Sequence, residues 1–185
     1  MRKPLFVAGL LLALIVTMIG CTQDSPQPTE QIFAVQVNYD RSIEDGVQAG
    51  HYDSSYLGFT SQNFPDEKTA GTKSVLIHLV QFHGAMSADQ VLVELDKWSL
   101  RPATLKECLA FGEERLDAQR QVAFLGSMWQ EPNGDRGYPY VVREGLERYL
   151  CLGWDSNGRW NRLWSFAAVS KSDYQPASSG LQRDK

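Results

Sequence analysis

The chain has 185 residues and a formal net charge of −4, with 18 basic against 22 acidic side chains. That length suits one domain with appendages. Lys and Arg are not gathered into long runs, so the sequence offers no cluster for contacting phosphates, and its electrostatics argue against nucleic acid as a partner.

The first element in chain order lies outside any domain. Arg2 and Lys3 form a basic start, and Leu5 to Ile19 is nearly continuous apolar sequence. The run is too short to span a bilayer comfortably and has the n-region and h-region of a secretory signal. Gly20 directly before Cys21 resembles the signal of bacterial lipoproteins, although Met18 stands where Leu is usual. The resemblance implies that residues 1–20 are a cleaved lipoprotein signal peptide. It also implies that Cys21 carries a thioether-linked diacylglycerol and usually an amide-linked acyl chain such as palmitate. Several acyl chains on one residue give a stable membrane anchor. Thr22, where an Asp would be a retention signal, resembles sorting to the outer membrane. The localisation implied is the cell envelope: the outer side of the cytoplasmic membrane, or the outer membrane. The competing reading is an ordinary secretory signal with an incidental Cys. With the leader gone, Arg2 and Lys3 are lost, so 16 of the 18 basic residues stand against 22 acidic ones, near −6. Residues 21–31 then read as the lipidated Cys and a polar tether holding two Pro.

The domain is expected over 32–171, followed by a loose tail over 172–185. "IFAVQVN" alternates as a strand, with Phe33, Val35 and Val37 on one side. Ser42 can cap a short helix ending near Gly50. Residues 53–73 are rich in Ser, Gly, Asp and Thr and read as an extended loop. "SVLIHLVQF", residues 74–82, is apolar on both faces and reads as a central strand. Two helices follow. Ser87 with Gln90, and Thr104 with Glu107, are capping boxes. Val91, Leu92, Leu95 and Trp98 make one buried stripe, and Leu105, Cys108 and Leu109 another. Pro102 keeps the first helix from running into the second. After residue 120 come short strand candidates, "VAFLGSMW", "YPYVV", "RYLCLGW" and "RLWSFAAV", separated by turns at "PNGDRG" and "SNG". The order predicts an α+β fold.

Several stretches carry a resemblance. "LRPAT" with "LKECL" resembles the Leu-Pro-Thr-x-x-Glu element of bacterial domains with the C-type-lectin-like fold. "AFLGSMW" resembles the strand that carries Trp-Ile-Gly-Leu in animal lectins, and "GRWNR" precedes the last strand as Trp-Asn does there. More extensively, "NYDRSIEDG", "LRPATLKECLAFG", "FLGSMWQEPNG" and "SFAAVSK" resemble a group of uncharacterised bacterial proteins. Their pattern runs LRPATLEELLALG, then ALGSVWQDPNG, then a FLAVxK strand. The resemblance implies a C-type-lectin-like α+β domain, with two helices packed on a small, mainly antiparallel sheet. It implies no established biochemical function.

In sugar-binding lectins an EPN triplet and a later WND triplet hold a calcium ion. Glu131, Asn133 and Asp135 in "EPNGD" are the weak metal candidates here. Calcium wants six to eight converging oxygens. The chain lacks the long excursion before EPN, and Arg162 stands where WND has Asp. A tight turn explains "EPNG" more simply, with Pro at its second position and Asn-Gly tolerating positive φ. No resident metal or cofactor is therefore expected. Of the aromatic set in the second half, Trp129, Tyr138 and Trp160 are the candidate ligand contacts, for a glycan or an envelope protein or peptide. Filling the core is the alternative. Cys108 and Cys151 are either a disulfide or two buried hydrophobes; in the resembling group Leu usually stands at the position of Cys108. His78 and His83 leave one strand on opposite faces and do not chelate together. No nucleophile elbow, P-loop or Cys-x-x-Cys is present. The reading is thus a membrane-anchored, non-catalytic binding or structural domain. The alternative is an envelope hydrolase using carboxylates of the Asp53–Asp66 loop with His51.

Overall fold

The computed structural model describes residues 28–65, 69–115 and 121–173. The expected leader, Cys21, most of the expected tether, Asp66 and the expected tail from 174 lie outside them. Among the described residues no helix is long and apolar enough to cross a membrane.

The elements are β1 (Thr29–Asn38), α1 (Ile43–Ala49), β2 (Ser54–Ser55), β3 (Thr72–Gln81), α2 (Ala88–Lys97), β4 (Leu100–Pro102), α3 (Leu105–Arg115), β5 (Gln121–Ala123), β6 (Trp129–Gln130), β7 (Arg136–Glu144), β8 (Glu147–Trp154) and β9 (Ser165–Ser170). The fold is α+β. Its sheet has nine strands in the order β1-β3-β9-β5-β7-β8-β2, with β4 on β9 and β6 on β7. Most pairs are antiparallel; β2–β8 and β5–β9 are parallel. The sheet is mixed and open, and larger than the small sheet expected, and three helices pack on it rather than two.

The expected helix starts form, because caps act within one turn. Ser42 Oγ accepts from the Asp45 amide at 3.1 Å, and Ser87 and Gln90 close a reciprocal capping box. At α3 the Glu107 carboxylate accepts from the Thr104 amide at 2.8 Å. The strand bounds move. β1 begins at Thr29, three residues inside the expected tether, because Thr29, Glu30 and Gln31 pair with Gln81, Val80 and Leu79.

Period-two alternation then builds two cores. On one face Val35, Val37, Val75, Ile77, Leu79, Val122, Phe124, Val141, Leu150 and Val169 meet Ile43 of α1 and Leu105, Leu109 and Phe111 of α3. On the other, Val80, Ala123, Tyr138, Phe166 and Ala168 meet Ala88, Val91 and Leu95 of α2. The two helices expected to share a corner therefore cover opposite faces. β4 makes this possible: "LRP" pairs with β9 inside the sheet, on the side away from β3 and beyond the end of β5, and hands the chain from one face to the other. Pro102 fits there because β4 has a partner on one side alone. Ser165 to Val169 of β9 is buried throughout, as a strand between two covered faces requires. β3 is internal as expected, yet Leu76 is exposed, since α2 covers the Val80–Phe82 end of that face.

Pro139 sits inside the long strand β7. Its carbonyl accepts from the Phe124 amide at 2.9 Å, at the gap between β5 and β6, where the ladder asks for no further donor from β7. Tyr138 and Tyr140 thereby keep their place on the α2 face.

Candidate functional site

Beside α2 the chain between β8 and β9 leaves the sheet and returns over its face. A 3-10 turn, Asp155–Asn157, and Gly158 at φ +94° reverse it. Trp160 is then pinned by a two-bond bridge to Met86, each amide donating to the other's carbonyl at 2.9 Å. Its ring lies over Gly153 of β8; a Cβ there would sit 2.6 Å from the indole. Glycine is thus needed for the close approach.

Trp160, Trp164 and Tyr140 pack edge to face. The ring centroids are 4.7 Å apart for Trp160–Trp164 and 5.0 Å for Tyr140–Trp164, with interplanar angles of 82° and 89°. This is the geometry the ring quadrupoles prefer. Phe166 of the core backs Trp160 at 6.1 Å. In front of the rings is a cleft of about 180 Å³, rimmed by Asn157, Gly158 and Arg159. Arg159 donates to Gln90 Oε1 at 2.7 Å, which ties the rim to α2. Burial, and next the contact with the Cys151 thiol, push the Tyr140 phenol up to about 12. It stays neutral and can act as a hydrogen-bond group across the physiological range.

Of the three aromatic candidates, Trp160 alone lines this cleft. Tyr138 is 2% exposed and belongs to the core under α2, which removes it as a surface contact. Trp129 packs on the opposite core, 5.7 Å from both Tyr56 and Trp154. The sequence reading missed Tyr140 and Trp164 as partners of Trp160. The available signal was Tyr138-x-Tyr140, two rings necessarily on one face of a strand.

"EPNG" is the turn of the β6–β7 hairpin. The Gly134 amide donates to the Glu131 carbonyl at 2.9 Å, and Gly134 takes φ +91°. The polar atoms turn inward to the turn itself. Asn133 Nδ2 donates to Glu131 Oε2 at 3.1 Å, and Asn133 Oδ1 accepts from the Asp135 amide at 2.8 Å. Asp135 accepts from the hydroxyl and the amide of Ser156, which holds its carboxyl below the usual range. Glu131 and Asn133 thus brace the hairpin turn itself and Asp135 ties it to the 155–157 turn, rather than the three facing a common ion. Among the described residues no group of three or more His, Cys, Asp or Glu is placed to hold a metal. Arg162, exposed, lies far along the return segment from this hairpin, beside β1 and β3.

Arg136 adds a second tie. Its guanidinium forks onto Asp89 of α2 at 2.9 and 3.0 Å, and its Nε donates to Asp155 at 2.6 Å. The contact holds the Asp89 carboxyl low and pushes the guanidinium up.

Both Cys108 and Cys151 are free. Cys108 points from α3 into the first core, whereas Cys151 lies between Leu150 and Leu152 and so faces the other side of β8. The sheet separates them, which corrects the disulfide reading. Burial pushes the Cys108 thiol well up, the opposite of an activated nucleophile.

The hydrolase reading fares poorly in geometry. His51 is exposed at φ +47°, while Asp53 accepts from the Arg148 amide at 2.7 Å on β8. Glu44 is bound by the Ser61 hydroxyl and amide, which holds it low. His78 bonds Glu30 at 2.7 Å. These groups serve separate local structures.

Comparison with protein-family models, curated proteins and solved structures finds no match to this chain.

Proposed function

We propose that this chain is a lipid-anchored protein of the bacterial envelope whose domain binds a saccharide in the Tyr140–Trp160–Trp164 cleft. The cleft carries the reading: apolar ring surface, a concave form and a few polar groups at the rim are the make-up of a small-molecule site. Sugar C–H faces can stack on the rings, while Asn157 and Arg159 offer an amide and a guanidinium to hydroxyls. The bond from Arg159 to Gln90 leaves the rim pre-ordered, which lowers the entropy cost of binding. The anchor rests on the Arg2–Lys3 start, the Leu5–Ile19 run and Cys21.

A C-type-lectin-like relationship is part of the same proposal. Its support is the order of elements: a strand, helices on both faces, a meander, and a last strand that returns antiparallel to the first long internal one. Fold alone assigns no ligand.

Two measurements test the reading. Envelope saccharides titrated into the Cys21→Ser protein should change its Trp fluorescence saturably, and Trp160→Ala should weaken binding at least tenfold. Unchanged affinity in Trp160→Ala, or no response to any envelope saccharide, would overturn the cleft. Cys21→Ser should also move the protein from the membrane to the soluble fraction; a variant that stays with membranes would overturn the anchor.

A further inference from the structure

We propose that the end of the domain where the chain enters is a docking face for anionic lipid headgroups, an inference that rests on the lipid-anchor reading. Three segments converge there. Thr29 opens β1 and pairs with Gln81, the last residue of β3. The Gln81 side chain in turn donates to the Arg162 carbonyl at 2.8 Å, in the segment before β9. Thr29, Phe82, His83, Arg162 and Leu163 surround a shallow hollow of about 270 Å³. Leu163 is 63% exposed on a turn fixed by its own amide, which donates to Asn161 Oδ1 at 2.9 Å.

Chain length brings this end to the bilayer. Seven residues lie between Cys21 and Thr29, which makes eight Cα-to-Cα steps. At about 3.5 Å per extended residue, Thr29 stays within about 28 Å of an acylated Cys21. The strand ladders place the other features. Thr29 is level with Gln81, Ser165, Val122 and Val141 across the sheet. The Glu131–Asp135 hairpin and the Asp155–Asn157 turn join the opposite ends of β7 and β8. The rim of the aromatic cleft therefore lies toward the membrane-distal end.

Charge orients the domain the same way. The whole chain is acidic and an anionic surface repels it on average. At the entry end, however, stands Arg162; the carboxylate of Glu30 is taken up by His78, and Glu144 and Glu147 of the β7–β8 hairpin, at the same end by register, are matched by Arg143 and Arg148. Glu131, Asp135 and Asp155 lie at the far end. An Arg beside an exposed Leu fits a phosphate-bearing interface: the guanidinium binds phosphate oxygens while the leucine enters the headgroup boundary.

Hydrogen exchange on the full lipidated protein in phosphatidylglycerol-containing vesicles tests this. Residues 82–85 and 161–164 should exchange several-fold more slowly than in the soluble Cys21→Ser protein, and phosphatidylcholine vesicles should give little of that protection. Arg162→Glu with Leu163→Gln should abolish the slowing while the protein stays in the vesicle fraction. Leu57→Gln, an exposed leucine beyond the far edge strand β2, should leave it intact. Equal exchange on vesicles and in solution, with the protein still vesicle-bound, would overturn docking and spare the anchor. Protection equal on both lipids would overturn the anionic assignment. A wild-type protein that never enters the vesicle fraction would overturn both.

Discussion

Two arginines each fasten the first turn of a helix to the sheet, in contrasting surroundings. Arg101 of β4 forks onto Glu107 of α3 at 2.9 and 2.6 Å. Arg136 of β7 forks onto Asp89 of α2 at nearly the same distances. Each carboxylate lies near a helix N-terminus, where the dipole favours negative charge. The difference is water. Glu107 is 0% exposed, and Tyr39 Oη also donates to it at 2.7 Å, whereas the Asp89 side chain is 66% exposed. A buried charge that loses its partner keeps its desolvation cost; an exposed one is rehydrated. Two like arginine forks thus carry unequal weight. The inner clamp secures the fold where the chain passes beside β9 from one face of the sheet to the other. The outer clamp, through Asp155, secures the turn that rims the cleft.

The largest expected effect is at the inner clamp. Glu107→Ala leaves Arg101 facing an apolar gap and should destabilise by about 3–5 kcal/mol in denaturant unfolding. A cost under about 1 kcal/mol, the level of an exposed pair, would break the contrast. Tyr39→Phe removes one bond to the buried carboxylate and should cost about 1.5–3 kcal/mol. Arg136→Ala should cost less than either, and its cost should shrink as salt is added, because exposed charges are screened. A salt-independent loss would mean the outer clamp behaves as a buried one. The same variant should weaken saccharide binding by loosening the 155–157 turn.

Acid should reach the outer ties by a known sign. Asp89, Asp135 and Glu44 are held below their ordinary values by Arg136, Ser156 and Ser61. Their contribution is therefore fully present above the ordinary carboxylate range, about pH 4, and is lost as pH falls through their lowered values. Stability should stay flat from neutrality down to that range and then decline, and Asp89→Asn should flatten the decline. The smallest effect is the expected absence of one: calcium should leave the melting temperature unchanged. A rise of several degrees would place an ion among Glu131, Asn133 and Asp135.

Much of the scaffold could be read locally. Ser42, Ser87 and Thr104 mark helix starts because a cap acts within three residues. The Phe33–Val35–Val37 and Val75–Ile77–Leu79 alternations mark strands because the pleat has period two. β4 was hidden, since three residues at a helix corner carry no period, and its pairing with β9 spans some seventy positions. The cleft was half legible. Trp160 stood out beside a turn, but Tyr140 and Trp164 come to it through the β7–β8 register and the bridge to Met86. Tyr138 and Tyr140 look alike in sequence, yet α2 covers one and stops short of the other.

By itself the sequence determined the acidic balance, the capped helices, the "EPNG" turn and the α+β class, each a matter of composition or of contacts a few residues apart. Tertiary structure alone decided that α2 and α3 cover opposite faces, that the sheet keeps Cys108 from Cys151, and that three distant rings share one cleft. Those outcomes depend on which strand edges pair. Pairing is settled by burying both faces of the sheet at once, and no short window of sequence contains that balance.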